Sequence, residues 1–540
     1  MAIESLLTLK GMLAVTSGKY LHPIDYIIVI GYLVFIMAFG ASFAKRQKNS
    51  DRYFTGGGSI PTWAVGLSML ATLISSITFL AYPGEGYKGN WIRLVQGLMV
   101  PAVLIFLVWF IVPMYRKVIG LSTYEYFEKR FGFIARLYGS LGFMLAHFSK
   151  MGTVFFLLAL AIASMMGFSA QVYYVILVLG IMVIIYTLLG GIEAVIWCDV
   201  IQGLLLMVGG LVCASILLFG QDQPASEILS NAYHAGKMSM GPFIWGDFTK
   251  LTFLVISLNG IFYALQKYGT DQTIVQRYLT AKNDKAAIRA SLMGVLLCVP
   301  VWTLFIFIGT LLWSFYQSHP MPADILAQAD KKPEVAFTYF ITSQLPIGLT
   351  GAILAALCAA ALSSLDSDLN CLSAVITEDY YKKIKPNATD KQKLNVGRIV
   401  VGICGVMAMG VACLYVKTEG KSVLSIVFTL YSIFSGGIAG LFILAFFTKR
   451  ANTKGLYVGM IACVLFTAWA LLSSKKFIDF NSFGLYNFTH HKYMIGVYSH
   501  LVLLVVGYVA SFFFKQEKDI TGLTFYDWMK SNKQETTEIA

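Results

Sequence analysis

Charge is what this sequence has least of. Asp, Glu, Lys and Arg make up only 13% of its 540 residues, against 57% hydrophobic, and mean hydropathy is +0.70. Soluble domains carry roughly 25% charged residues, so a water-exposed globule is excluded. Cysteine is sparse as well: the eight cysteines stand singly inside apolar runs, with no Cys-x-x-Cys pair and no His-rich spacing. That excludes a zinc ribbon or a disulfide framework and leaves small buried hydrophobes. A nucleotide loop is missing too, because the triple glycine at Gly56–Gly58 lacks P-loop spacing. With no nucleophile–base pair or metal-ligand motif, the chain is not expected to be an enzyme. The first apolar run has neither a basic start nor a small-residue cleavage site, so it reads as a retained span rather than a signal peptide.

What the sequence has in abundance is hydrocarbon. Apolar runs of about 18 or more residues recur from Ile24 to Phe514, each long enough to cross a layer of ~30 Å, and they number about thirteen. The chain therefore reads as an all-α polytopic protein of the cell membrane, with the lipid bilayer as its partner. The loops "AKRQKNSDR", "EKRFGFIAR", "AKNDKAAIR", "YYKKIKPNATDKQK" and "FFTKRANTK" fall on alternate ends of successive spans. All five belong on the cytoplasmic side, which puts the N-terminus outside and the tail after Lys515 inside. These loops and the tail hold most of the formal charge of +13, so no nucleic-acid partner is implied.

Two spans carry polar or small residues at their middles: "MLATLISSITFLAYPGEG" from Met69 and "ISLNGIFYALQKYGTDQ" from Ile256. They lie an odd number of spans apart and so run in opposite directions. Broken helices in matching positions of two halves mark an inverted-repeat transporter that binds its cargo at the breaks. Close helix packing through small residues is the structural alternative.

A third segment, "AAALSSLDSDLNCL" from Ala359, places six oxygen-bearing side chains inside an apolar run. At about 100° per residue, Ala360, Ser363, Ser364 and Ser367 share one stripe, with Asp366 and Asp368 on its flanks. An ionised carboxylate inside a membrane persists mainly where it has a partner, and hydroxyls, carbonyls and carboxylates suit a small hard cation. The alternative is that Asp366 and Asp368 sit at a wet cytoplasmic mouth. Asp199, in "GGIEAVIWCDVIQ", offers a further carboxylate on the same half, or a helix start favoured by the macrodipole.

Lys150, in "FMLAHFSKMGTVFFLL", lies some 13 residues (~20 Å) from the cytoplasmic end of its helix, too deep to snorkel out. It must face a cavity or pair with Asp366 or Asp199. Lys267, beside Gln266 in the second interrupted helix, adds another cation, and together they suggest an anionic solute.

The segments "DRYFTGGGSIPTWAVGLSMLATLISSITF", "YTLLGGIEAVIWCDVIQ", "DQTIVQRYLTAKN" and "AAALSSLDSDLN", in this order, resemble the sodium/solute symporter family. Within it the chain is most similar to the bacterial sodium/sialic acid symporters and next to the sodium/galactose symporters. The likeness implies a five-plus-five inverted-repeat core with broken first and sixth core helices, working by alternating access. Carried onto this chain, residues 1–60 hold an outer N-terminus, an extra helix and a cytoplasmic loop, and 61–220 form the first repeat. An outer loop at 221–250 leads to the second repeat at 251–447; peripheral helices fill 448–514 and a cytoplasmic tail 515–540. The protein is expected to function as a monomer with Na+ as coupling ion.

The resemblance also implies sites. A first sodium would be held by the carbonyls of Ala71 and Ile74 with Ala360, Ser363 and Ser364. A second, found in some relatives, would involve Asp199, Ser363, Asp366 and Ser367, although Asp366 stands where relatives carry a small or hydroxyl residue. That change would tighten the site or let a proton replace the ion. Solute contacts would include Ser75, Ser76, Thr78, Gln96, Lys150 and Gln266, with Lys267 where galactose symporters have an aromatic gate. Sialic acid symporters carry arginine at the position of Lys150 and galactose symporters asparagine; lysine keeps the charge without the fork. Gly97 stands where both groups have a polar residue. The expected cargo is an acidic sugar such as a sialic acid, with a neutral sugar or polyol as alternative. A channel or membrane sensor on the same fold is the reading from another class.

Overall fold

In a computed structural model, residues 21–165, 172–416, 436–474, 478–484 and 486–530 are described. The expected outer N-terminus, the start of the span expected from Ser422 and the end of the tail lie outside these residues. Among the described residues the chain is all helical, and the one bridge outside helices is a parallel pairing of Ile60 with Ala281.

The long helices are α1 (Pro23–Ser42), α2 (Thr62–Leu73), α3 (Ser76–Lys88), α4 (Ile92–Val118), α5 (Phe133–Met165) and α6 (Val172–Phe219). They continue with α7 (Phe253–Gly269), α8 (Gln272–Thr280), α9 (Asp284–Ser318), α10 (Leu349–Val375), α11 (Asp390–Val416), α12 (Ile438–Phe447), α13 (Thr453–Ser474) and α14 (Lys492–Ala510). Nine described helices are long and apolar enough to cross a membrane, or ten with the bent pair α2–α3. The larger number read from the sequence follows from how the remaining spans are built. The 48 residues of α6 are two expected spans joined at Gly191, whose φ of 57° turns the backbone. Only glycine fits there, because a Cβ would lie 2.7 Å from Tyr53 O. The span expected from Leu251 is the 17-residue α7, followed by α8, and α12 is the described part of another.

Both interruptions are present, in different forms. α2 stops at Leu73; Ile74 is extended (φ −106°, ψ 118°), and the Ser75 hydroxyl accepts the Ile77 N–H at 3.2 Å to start α3. The axis bends by 59°. α7 runs unbroken through Gln266 and Lys267 to Gly269, so the second break falls at Thr270–Asp271, later than the middle of the quoted stretch. There Asp271 caps α8, accepting the Thr273 N–H at 2.9 Å. Serine and aspartate restart a helix for the same reason: their short side chains satisfy orphan N–H groups.

α10 is buried along almost its whole length. Its start is anchored by Asp25 of α1, whose Oδ1 accepts the Gly348 and Gly351 N–H groups at 2.8 Å each. At one end of the bundle the basic loops meet acidic partners. Arg46 and Arg52 reach Glu193, Arg116 reaches Asp284, and Arg136 bridges Glu128 and Asp379. The tail returns to this end. Tyr126 OH donates to Leu523 O at 2.9 Å, and the Phe525 ring lies 4.9 Å from Phe110 and 5.5 Å from Phe447 between centroids.

Candidate functional site

The first break and the last turns of α7 border a cavity of about 120 Å³. Of the residues expected to meet a solute, Ser75, Thr78, Gln96, Lys150 and Lys267 line it, while Ser76 and Gln266 do not. Ser76 is buried, its hydroxyl without a hydrogen-bond partner among the described residues, and Gln266 is buried with its backbone carbonyl accepting the Thr270 N–H and hydroxyl. Tyr82, Tyr263 and Trp302 add aromatic faces to the wall, none of which stands out in the sequence from dozens of other aromatics. The Trp302 ring also explains Gly97: a Cβ there would lie 2.5 Å from Trp302 Cε3. The side chain lost at position 97 is replaced by indole from α9.

Beside the cavity, α10 meets the broken end of α2. A helix leaves its last carbonyls without intrahelical donors, and here the serine stripe supplies them. Ser363 Oγ donates to Ala71 O at 3.1 Å and lies 3.2 Å from Ala360 O, and Ser364 Oγ donates to Thr72 O at 3.5 Å. Ala71, Ile74, Ala360, Ser363 and Ser364 are all buried. Oxygens from two helices thus converge at one break, without a carboxylate among them.

The residues expected to hold a second ion separate into two groups. Asp199 Oδ2 accepts Ser68 Oγ at 2.6 Å and Arg277 Nη2 at 2.9 Å, and the same Nη2 reaches Ser367 Oγ at 2.7 Å. Arg277, from α8, is fully buried. Asp366 instead accepts the Tyr186 hydroxyl at 2.8 Å through Oδ2. Asp199 Oδ1 and Asp366 Oδ1 both lack a hydrogen-bond partner among the described residues, which is the state in which a buried carboxylate oxygen suits a cation. Ser363 belongs with the first group of oxygens.

Lys150 has a partner, and it is neither Asp366 nor Asp199. Its Nζ lies 3.1 Å from both carboxylate oxygens of Asp368. Asp368 therefore lies at no wet mouth; it is completely buried. The pair belongs to a larger cluster. Lys267 Nζ lies 2.6 Å from Asp271 Oδ2, and His147 stands between the two carboxylates, Nδ1 2.9 Å from Asp368 Oδ1 and Nε2 3.1 Å from Asp271 Oδ2. α5, α10 and the α7–α8 break are tied together by these charges. His147, Asp271 and Arg277 escape the sequence reading, although His147 precedes Lys150 by three residues and so shares its helix face.

Comparison with known proteins places the chain in a family. The chain is 33% identical to the sodium/sialic acid symporter NanT of Aliivibrio fischeri over 96% of its length and 98% of the relative's. It is 32% identical to the sodium/sialic acid symporter SiaT of Proteus mirabilis over 92% and 97% of the two chains. The solved structure of a Na+-coupled sialic acid symporter in its substrate-bound, outward-open state superposes with a TM-score of 0.81 at 31% identity, covering 92% of this chain and 99% of that one. A nucleobase-cation-symport-1 family transporter in a closed conformation shares the fold, at a TM-score of 0.55 and 16% identity. Residues 53–463, including both breaks, the serine stripe and the cavity, match the sodium:solute symporter family, and the chain belongs to it.

Proposed function

We propose that this symporter carries an acidic sugar of the sialic acid class together with sodium, by alternating access around the cavity between the two broken helices. The observation that carries the reading is Lys150, an ammonium inside the membrane span that lines the cavity beside the break at Ile74–Ser75. Ser75, Thr78 and Gln96 add neutral hydrogen-bonding groups for sugar hydroxyls, and Tyr82, Tyr263 and Trp302 add apolar faces. Such a mixture of a few polar groups on an aromatic wall is what a small-solute site requires. The two sialic acid symporters that match over nearly the whole chain support the same cargo.

Sodium is read as cargo at the break. Ala71, Ile74, Ala360, Ser363 and Ser364 would hold it, the serine hydroxyls turning lone pairs to the ion in place of their bonds to Ala71 O and Thr72 O. An ion there draws α2 against α10 and fixes the wall of the cavity, so that its binding favours capture of the solute. Asp199, Asp366 and Ser367 are the candidates for a second ion, which would share Asp199 with Arg277. The protein is read as acting as a monomer in the bilayer.

One observation favours a neutral sugar: the charge of Lys150 is already met by Asp368. Uptake of radiolabelled sialic acid into proteoliposomes, with and without an inward sodium gradient and against unlabelled galactose, decides between the two. Sodium-driven uptake that galactose does not compete away supports the acidic sugar. Sodium-driven galactose uptake with no sialic acid uptake overturns it.

A further inference from the structure

We propose that His147 is a proton site built into solute recognition: its imidazolium, clamped between Asp271 and Asp368, gives the Lys150–Lys267 cluster a net positive charge and so selects an anionic solute. The inference rests on the acidic-sugar reading for its cargo, and on geometry for the proton.

A neutral imidazole offers one N–H donor and one lone pair; only the protonated ring donates from both nitrogens. Both ring nitrogens of His147 face carboxylate oxygens at hydrogen-bonding distance, 2.9 Å and 3.1 Å. Asp271 has no room for a proton of its own. Its Oδ1 accepts the N–H and the hydroxyl of Thr273, at 2.9 Å and 2.5 Å, and its Oδ2 faces Lys267 at 2.6 Å as well as His147. Asp368 Oδ1 accepts from the Lys150 ammonium at 3.1 Å; Oδ2 lies 3.1 Å from the same nitrogen but has no hydrogen bond among the described residues, so a proton on it would face a positive charge. With both carboxylates ionised, both ring nitrogens must donate, and the ring is an imidazolium.

Charge then accounts for selectivity. Two lysines and two aspartates cancel, so with a neutral ring the cluster has no net charge and an incoming anion would leave it negative in a buried site. With the ring protonated the excess is one positive charge. One anionic group at Lys150 balances it, while Asp368 keeps His147 as its partner. This resolves the objection that Lys150 is already paired. The ring stacks on Phe143 of its own helix at 4.1 Å between centroids. Elements packed against α5 bring phenols: Tyr82 of α3 in the cavity wall, Tyr415 of α11 to Ser149 at 3.0 Å, Tyr124 to Phe143, and Tyr380 to Ser140 at 2.8 Å. Asp199 of α6 has its charge met by Arg277.

The test has two readouts. Nitrogen-15 ring signals of histidine-labelled, solute-free protein at pH 7 report protonation directly; the signal is assigned by its loss in His147→Gln, or in His147→Asn if the first variant does not fold. Two protonated ring nitrogens are expected, and a neutral tautomer overturns the proposal. Sialic acid affinity is then titrated calorimetrically in sodium, in two buffers of different ionisation enthalpy, across the pH at which that signal changes. Above that pH the affinity is expected to fall toward tenfold per unit with proton uptake on binding, and His147→Gln to show weak, pH-independent binding. An affinity that does not change across that pH overturns the linkage. Absence of sialic acid binding at every pH, with an imidazolium signal present, sinks the cargo reading and not the protonated clamp.

Discussion

Arg277 and Asp199 face each other in the sealed interior, Nη2 2.9 Å from Oδ2, with neither side chain exposed. Removing one partner of such a pair strands a buried charge, at a cost of about 3–5 kcal/mol, whereas removing both relieves it. Arg277→Gln and Asp199→Asn are each expected to lower the thermal midpoint, and the double variant to lose less than their sum. Arg277→Gln should also gain more stability from added sodium than the parent does, because Asp199 is then free to take the ion. Thermal unfolding in sodium against potassium measures both effects; additive losses would show that the two residues do not act as a pair.

Ser363 and Ser364 donate to carbonyls of α2, so their hydroxyls are the contacts a sodium ion would take over. Ser363→Ala is expected to raise the sodium concentration for half-maximal uptake about tenfold, which corresponds to ~1.4 kcal/mol. The fold should survive, since a net hydrogen bond contributes only about 1 kcal/mol. Sodium titration of uptake, with thermal stability measured in potassium, separates the two.

Lys150→Asn removes one of the two ammonium groups that line the cavity and leaves Asp368 with His147. Sialic acid uptake is expected to fall more than tenfold, and Lys150→Arg to keep a substantial part of it. Transport that survives Lys150→Asn unchanged would mean a neutral cargo.

At Gly97 the expected effect is steric. An alanine Cβ would sit 2.5 Å from the Trp302 ring, and overpacking costs about 1–3 kcal/mol. Gly97→Ala should weaken solute binding without moving the sodium dependence, and Trp302→Phe in the same chain should restore part of the loss. Solute titration at saturating sodium checks it.

An anion carried with one sodium moves no net charge, whereas a second sodium adds ~2.3 kcal/mol at 100 mV. With ~1.4 kcal/mol per ion from a tenfold gradient, the two-ion cycle draws about 5 kcal/mol, enough for accumulation of a few thousandfold. If Asp199 and Asp366 serve a second ion, uptake is electrogenic in the parent and electroneutral in Asp199→Asn. Current on a solid-supported membrane, recorded with flux, gives the ratio.

Much of this architecture is legible in the chain. The serine stripe follows from helical period, and the break at Ile74–Ser75 shows as a serine pair within hydrocarbon. The second break falls later than expected because Lys267 and Gln266 look like an interruption while α7 continues past them. The signal was three residues on, where glycine and threonine precede an aspartate able to cap α8. The partners of Lys150 and Asp199 were less accessible. Lys150 and Asp368 are 218 residues apart and Asp199 and Arg277 are 78 apart, and helical period says which face a residue takes, not which helix it meets. Glycine at 97 reads as a lost contact until the indole from α9 is seen filling its place.

The returning tail has a consequence of its own. Phe525 wedges against Phe110 of α4 and Phe447 at the end of α12, and Lys117 lies 5.1 Å from the Trp528 ring centre. The tail thus ties α4 to α12 at the end of the bundle where the basic loops gather. A fluorophore carried just beyond Trp528 therefore becomes a pointer on that strap, its distance to a dye on α13 reporting whether the strap shifts during uptake.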